Sequence, residues 1–278
     1  MNDLKPQEIA PGVYGLSIGT GIKQANIYFV QSGSSWVLID AAWPKCGQLI
    51  KATAESLFGA NTRPAAILLT HIHPDHSGSA LELAQLWNLP VYVHRDELPL
   101  AAETLIPEYF NPLDRWLIAP LMKFLPRRML EPKRSGESLA DRVCAIDPNA
   151  GVPGFSDWQC IPTPGHTPGH MAFFRKSDGV LIAGDAILTV NLNSIRDVLL
   201  NRQRISGPPY ISTWNWHSAK ESVARLAALE PRVLACGHGL AAIGPGTIAE
   251  LHALSNRFEV SQKKISHNGR HSCQHRSW

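Results

Sequence analysis

The sequence predicts a mixed α/β (α+β) fold in which two β-sheets pack face to face with helices on their outer surfaces. Three observations carry that expectation. Ala65–Thr70 (AAILLT) is a continuous apolar run of strand length, as expected of a strand buried on both faces. Short β-rich segments followed by segments of helical spacing occur twice, once in each half of the chain. Strands outnumber helices in both halves, and two stacked sheets flanked by helices would bury every apolar face this creates.

In the first half, Val13–Ile18, Asn26–Gln31 and Trp36–Asp40 are short, β-rich and separated by Gly and Ser. Lys45–Phe58 has helical character. After the buried strand, Ser77–Trp87 carries Leu81, Leu83, Ala84 and Trp87 at roughly helical spacing, Pro90 closes it, and Val91–His94 is another strand. In the second half, Trp158–Ile161, Met171–Arg175 and Val180–Ala183 read as strands, Ser218–Leu229 as a helix, Arg232–Ala235 as a buried strand and Ile248–Val260 as a closing helix.

Residues 96–134 interrupt the pattern with six prolines among Leu, Ile, Phe, Tyr and Trp. Short helices are expected there, forming either a second small core or a lid over a pocket. Lys123, Arg127, Arg128, Lys133 and Arg134 give this insert a basic cluster, read as solvated surface or as a contact for an anionic substrate group. One domain spanning 1–263 is expected, with 264–278 polar, basic and aperiodic as a disordered tail.

At 278 residues and 44% hydrophobic composition, the chain can build a sizeable core. The net charge of +3 is local: from Asn256 onward five basic residues face Glu259 alone, leaving 21 basic and 22 acidic residues elsewhere. No field that would recruit nucleic acid is therefore expected. Five scattered cysteines without a CxxC pair argue against a disulfide framework and a thiolate zinc site. With no signal-peptide pattern at Met1–Pro11 and no apolar run of membrane-spanning length, a cytoplasmic protein is expected, free of membrane and compatible with a homodimer.

Chemistry concentrates behind the strands. Thr70-His71-Ile72-His73-Pro74-Asp75-His76 follows the buried strand directly, and in extended chain His71 and His73 project to one side. The turn that follows brings Asp75 and His76 in from another direction. Four metal-ligand side chains in six residues are hard to explain structurally, whereas one histidine there would be an ordinary turn residue. Gly165-His166, Gly184-Asp185 and Gly237-His238 each lie just past another strand, with Gly where a side chain would obstruct close approach. Each alone is weak; together they form an imidazole and carboxylate set suited to Zn²⁺ or a similar first-row ion.

The order His-x-His-x-Asp-His, Gly-His, Gly-Asp, Gly-His resembles the metallo-β-lactamase superfamily, which includes glyoxalase II thioesterases and acyl-homoserine lactonases. The resemblance runs from the first strands through His238. It implies an αββα sandwich and two divalent metal ions, Zn²⁺ foremost, with Fe or Mn as alternatives. His71, His73 and His166 would hold one ion, Asp75, His76 and His238 the other, and Asp185 would bridge them. The implied activity is hydrolysis of a small ester, thioester or lactone by a metal-bridging hydroxide, two dications lowering the pKa of water from 15.7 toward about 7. Asp75 would orient that nucleophile or pass a proton to the leaving group. A phosphodiester or nucleic-acid substrate is the alternative within the same fold, and a flavodiiron-type redox role is disfavoured because no flavin domain is evident.

The departures narrow this further. β-Lactamases proper lack the bridging aspartate that Asp185 would supply, which disfavours antibiotic hydrolysis. Only about 40 residues follow His238, too few for the glutathione-binding domain of glyoxalase II. Lactonases of the superfamily place a tyrosine three residues after the bridging aspartate, where this chain has Leu188; Tyr210 could take that role or pack as a turn aromatic. Phe110 and Trp116 in the insert are the other candidate substrate contacts. His170 is expected to support the ligands by hydrogen bonding, His94 to support them or pack in a turn, His217 and His252 to lie on helix surfaces, and His267, His271 and His275 in the tail.

Overall fold

The β-rich stretches at the start of the chain form successive antiparallel neighbours: β1 (Gln7–Ala10), β2 (Val13–Ile18), β3 (Ala25–Ser32) and β4 (Ser35–Ile39). The computed structural model describes residues 5–104, 106–122, 137–200 and 202–270. After α1 (Gly47–Phe58) the chain returns as β5 (Ala66–Leu68), parallel to β4. The helical turn α2 (Pro74–Ser77) and α3 (Ala80–Trp87) lead to β6 (Val91–Val93). The insert supplies α4 (Leu98–Ala101) and α5 (Pro112–Met122) before β7 (Val143–Ala145) closes the first sheet, ordered β1-β2-β3-β4-β5-β6-β7.

The second half forms β8 (Trp158–Pro162), β9 (Met171–Arg175), β10 (Val180–Ile182), β11 (Leu188–Val190), α6 (Ile195–Leu199), β12 (Gln203–Ser206), α7 (Trp216–Ala227), β13 (Val233–Ala235), β14 (Ala242–Ile243) and α8 (Gly246–Arg270). Its main sheet runs β14-β13-β10-β9-β8, and β11 and β12 pair separately.

The uninterrupted apolar strands are explained by where their two faces go. In β5, Ala66 and Leu68 enter the core between the sheets beside Val37, Ile39, Met171 and Phe173. Ile67 and the following Leu69 point the other way, against Ile50 and Ala54 of α1 and Leu83 and Trp87 of α3. On the second sheet, Ala172 and Phe174 face Val223 and Leu226 of α7 and Leu251 of α8. The layers are therefore helix, sheet, sheet, helix, as expected. Each fully buried aliphatic side chain contributes roughly 1.5–3 kcal/mol, so a one-residue slip that swapped faces would be strongly disfavoured.

The expected helix at 248–260 is longer, starting at Gly246 and continuing to Arg270. No proline falls inside it and Gly269 is its first interior glycine, so nothing local stops it. The tail expected from 264 thus begins within this helix, and 271–278 lie outside the described residues. In the insert, α5 runs through Pro120. The basic cluster from Lys123 to Arg134 lies outside the described residues.

Candidate metal centre

The strand ends deliver the candidate ligand side chains to one edge of the sandwich. β5 leads to His71 and His73, and the first turn of α2 carries Asp75 and His76. β8 leads to His166, β10 to Asp185 and β13 to His238. The structure brings all seven together in three overlapping groups: His71 with His73 and His166; His71 with His76 and Asp185; and Asp75 with His76 and His238. Ligand atoms within each group lie within 4.8 Å of one another.

His73 Nδ1 lies 3.0 Å from both His71 Nε2 and His166 Nε2. Asp185 joins this trio to the other ligands. Its Oδ2 is 3.4 Å from His166 Nε2 and 3.3 Å from His238 Nε2, and its Oδ1 is 3.4 Å from His76 Nε2. Asp75 Oδ2 lies 3.4 Å from His238 Nε2 and 3.8 Å from His76 Nε2.

Outer partners fix which imidazole nitrogen faces inward. Thr70 Oγ1 donates to Asp40, leaving its lone pairs to accept from His71 Nδ1 at 3.0 Å. Thr213 Oγ1 donates to the carbonyl of Pro209 and accepts from His166 Nδ1 at 3.3 Å. His76 Nδ1 donates to Asp40 Oδ2 at 2.8 Å, and His238 Nδ1 to the carbonyl of Gln24. All four rings thereby reserve Nε2 for the centre. His170 falls outside the three groups. Its Nε2 accepts the backbone N–H of Asp185, and its Nδ1 pairs with Thr163 Oγ1 at 2.7 Å.

Two glycines permit this crowding. A Cβ on Gly237 would stand 2.0 Å from Asp185 Oδ1, and one on Gly184, at φ +51, would stand 2.7 Å from His170 Nε2.

The electrostatics call for a cation. Burial, reinforced by neighbouring imidazoles, holds His71 and His166 well below the usual histidine pKa, and burial lowers His73. Burial, the largest influence, would lower His76 and His238, but the surrounding carboxylates together outweigh it: Asp185 and Asp40 raise His76 well above its ordinary value, and Asp185 and Asp75 raise His238 to about 10. Burial alone would raise the two ligand carboxylates. The His238 hydrogen bond and the His76 charge instead bring Asp75 down to about 2, and the His238 and His76 charges hold Asp185 well below its usual range. His76 Nε2 and Asp185 Oδ1 are buried and neither makes a hydrogen bond. Lone pairs converging from imidazoles and carboxylates, two of them otherwise orphaned, fit divalent metal ions.

Sequence reasoning missed Asp40 and Glu97. Asp40 is buried at φ +64, a left-handed conformation that aspartate tolerates, and accepts from the backbone and hydroxyl of Thr70 as well as from His76. Its only sequence signal is a carboxylate ending an apolar strand. Glu97 had no signal separating it from an ordinary helix-start acid. Asn26 and Tyr28 of β3 were also missed; Asn26 Nδ2 donates to the carbonyls of Cys236 and Gly239, and Tyr28 Oη to Cys236, securing the His238 loop.

Tyr210 is exposed and stacks on Trp216, while Trp214 Nε1 donates to the carbonyl of Glu108. Phe110 is only 5% exposed, whereas Trp116 is 83% exposed on α5. His94 accepts from the backbone of Asp96, outside the centre. A cavity of about 630 Å³ lined by Ile9, Val233 and Ile248 lies at the opposite ends of β10 and β13 from the ligands. Among the described residues, no helix is long and apolar enough to cross a membrane.

An αββα sandwich with a histidine and aspartate centre at its strand ends defines a class of metal-dependent hydrolases. A sequence profile described as the metallo-beta-lactamase superfamily matches residues 20–238. The chain is 37% identical to the probable metallo-hydrolase YflN of Bacillus subtilis over 255 residues, covering 90% of this chain and 92% of that one. It is 26% identical over 212 residues to a hydroxyacylglutathione hydrolase of Bdellovibrio bacteriovorus, covering 72% of this chain and 67% of the relative. Among solved structures it resembles TTHA1623 in a di-iron-bound form, with a TM-score of 0.53, 25% identity, and coverage of 82% of this chain and 93% of the other. The chain belongs to the metallo-β-lactamase superfamily.

Proposed function

We propose that this hydrolase cleaves a small ester, thioester or lactone. His71, His73 and His166 would hold one divalent metal ion and Asp75, His76 and His238 the other, with Asp185 placed to serve both. The observation that carries this reading is the position of Asp185, whose carboxylate oxygens lie 3.3–3.4 Å from ligand nitrogens of both sets. The donors are imidazole and carboxylate without thiolate, a set that suits Zn²⁺ first, with iron or manganese as alternatives. When bound, such a pair supplies Lewis acidity that acidifies water and polarises the substrate carbonyl.

The protein's own groups complete the chemistry. Asp75 is the candidate catalytic residue because its side chain is 18% exposed while those of His76, Asp185 and His238 are 0–5% exposed. It is ionised at neutral pH, so Oδ1 can accept a proton from the attacking water and return it to the leaving group. Acyl chemistry is favoured over phosphodiester chemistry by the near-neutral body of the chain. The hydroxyacylglutathione hydrolase relative supports it too, since its named substrate is a thioester. A panel of chromogenic esters, thioesters, lactones and bis-p-nitrophenyl phosphate tests this reading. Turnover confined to the acyl compounds and abolished by chelation is expected; turnover of the phosphodiester alone would overturn it.

A further inference from the structure

Glu97 is fully buried in the turn after β6, at the root of the insert, and its two carboxylate oxygens serve two different ligand loops. Oε2 accepts the backbone N–H of Ile72, between His71 and His73, at 2.7 Å. Oε1 accepts the backbone N–H of Gly169, in the loop that carries His166, at 2.8 Å. The loops come from opposite sheets, one following β5 and the other β8. Packing between them is tight, for a Cβ on Gly169 would stand 2.8 Å from Glu97 Cγ.

The three nitrogens of the histidine trio are divided between these loops, two from the first and one from the second. Their separation therefore depends on how far apart the loops are held. A backbone bond from Met171 N to Thr70 O ties the same segments at their strand ends. Glu97 ties them farther out, level with the ligands.

We propose that Glu97 is the positioning residue of the three-histidine half of the centre, its carboxylate setting the spacing of the His71/His73 loop from the His166 loop. The proposal rests on the metal assignment above. It singles out the three-histidine half, because the His238 loop has separate support from Asn26, Tyr28 and Gln24, while Asp40 serves both halves, bonding His76 directly and His71 through Thr70.

Glu97→Gln is the discriminating variant. It keeps size and shape, so a residue that merely fills space would tolerate it. A glutamine offers one acceptor oxygen, so its NH₂ would confront one of the two backbone N–H groups. Losing support of this kind typically lowers metal affinity by roughly 10–100-fold. Competition with a chelator should therefore show one Zn²⁺ bound about as tightly as in the unsubstituted protein and the other weakened by that factor. Cadmium NMR of the loaded protein reads out which site is affected. Glu97→Gln should broaden or remove the resonance of the three-histidine site and spare that of the Asp75, His76 and His238 site. Should Glu97→Gln fail to accumulate as folded protein, Glu97→Asp carries the same test, being charged but one CH₂ too short to reach both amides. Affinity within twofold of the unsubstituted protein at both sites, or equal weakening of both, overturns the proposal. An unsubstituted protein that binds fewer than two cadmium ions would instead overturn the metal assignment.

Discussion

His170 Nε2 accepts the backbone N–H of Asp185 at 3.0 Å, so a histidine outside the candidate ligand groups fixes the residue on which the whole centre converges. The ring is buried, and burial lowers its pKa to about 3, so it is a neutral acceptor throughout the working pH range. His170→Ala should remove this hold on Asp185 and weaken metal binding by roughly 10–100-fold. A chelator-competition titration measures that loss, and an unchanged dissociation constant would show that the Gly184–Asp185 turn keeps its shape unaided.

Asp185→Asn tests the bridge. It preserves size but removes the charge that raises His76 and His238 and that two dications would share. Metal retention should fall below two ions per chain and turnover by at least about tenfold, the loss that one pKa unit's worth of interaction represents. Elemental analysis together with initial rates checks it; full metal content at a normal rate would mean that Asp185 does not bridge.

The same electrostatics give metal binding a pH dependence. Without metal, His238 holds its proton up to about pH 10, and His76 is raised in the same direction. A cation entering this half must displace those protons. Below pH 10, apparent affinity should therefore rise with pH, about tenfold per unit for each proton displaced. Calorimetry in buffers of different ionisation enthalpy should register one to two protons released per chain on loading. Binding that is flat between pH 6 and 9 would contradict the raised histidines.

Much of this architecture is written locally. The run AAILLT announced β5 because both its faces are buried; His-x-His-x-Asp-His marked the loop after it, and a histidine or aspartate after a glycine marked the other three, where, as at Gly237, crowding leaves no room for a Cβ. Less legible were elements whose partners are remote in sequence. β7, β11, β12 and β14 are two to four residues long and are defined by pairing rather than by composition. Asp40 and Glu97 were missed for a related reason. Each looks like an ordinary acid at the end of an element, and only the folded chain shows that one meets His76 and the other meets Gly169, 72 positions away.

The insert offers the last test, because its two aromatic candidates occupy opposite environments. Phe110 is buried at 5% exposure, whereas Trp116 projects from α5 at 83%. Removing a buried phenylalanine typically costs about 3–5 kcal/mol, while a substitution at an exposed site usually stays within about 0.5 kcal/mol. Phe110→Ala should therefore lower the thermal midpoint by several degrees and Trp116→Ala should leave it nearly unchanged. If α5 also closes over an acyl chain, each added CH₂ buried is worth roughly 0.8 kcal/mol, or about fourfold in kcat/KM until the pocket is full. Trp116→Ala should flatten that rise across a series of p-nitrophenyl esters while leaving bound metal unchanged. A chain-length profile identical to that of the unsubstituted enzyme would remove Trp116 from the substrate site and direct the search to the exposed ring of Tyr210, which stacks on Trp216 across from the insert.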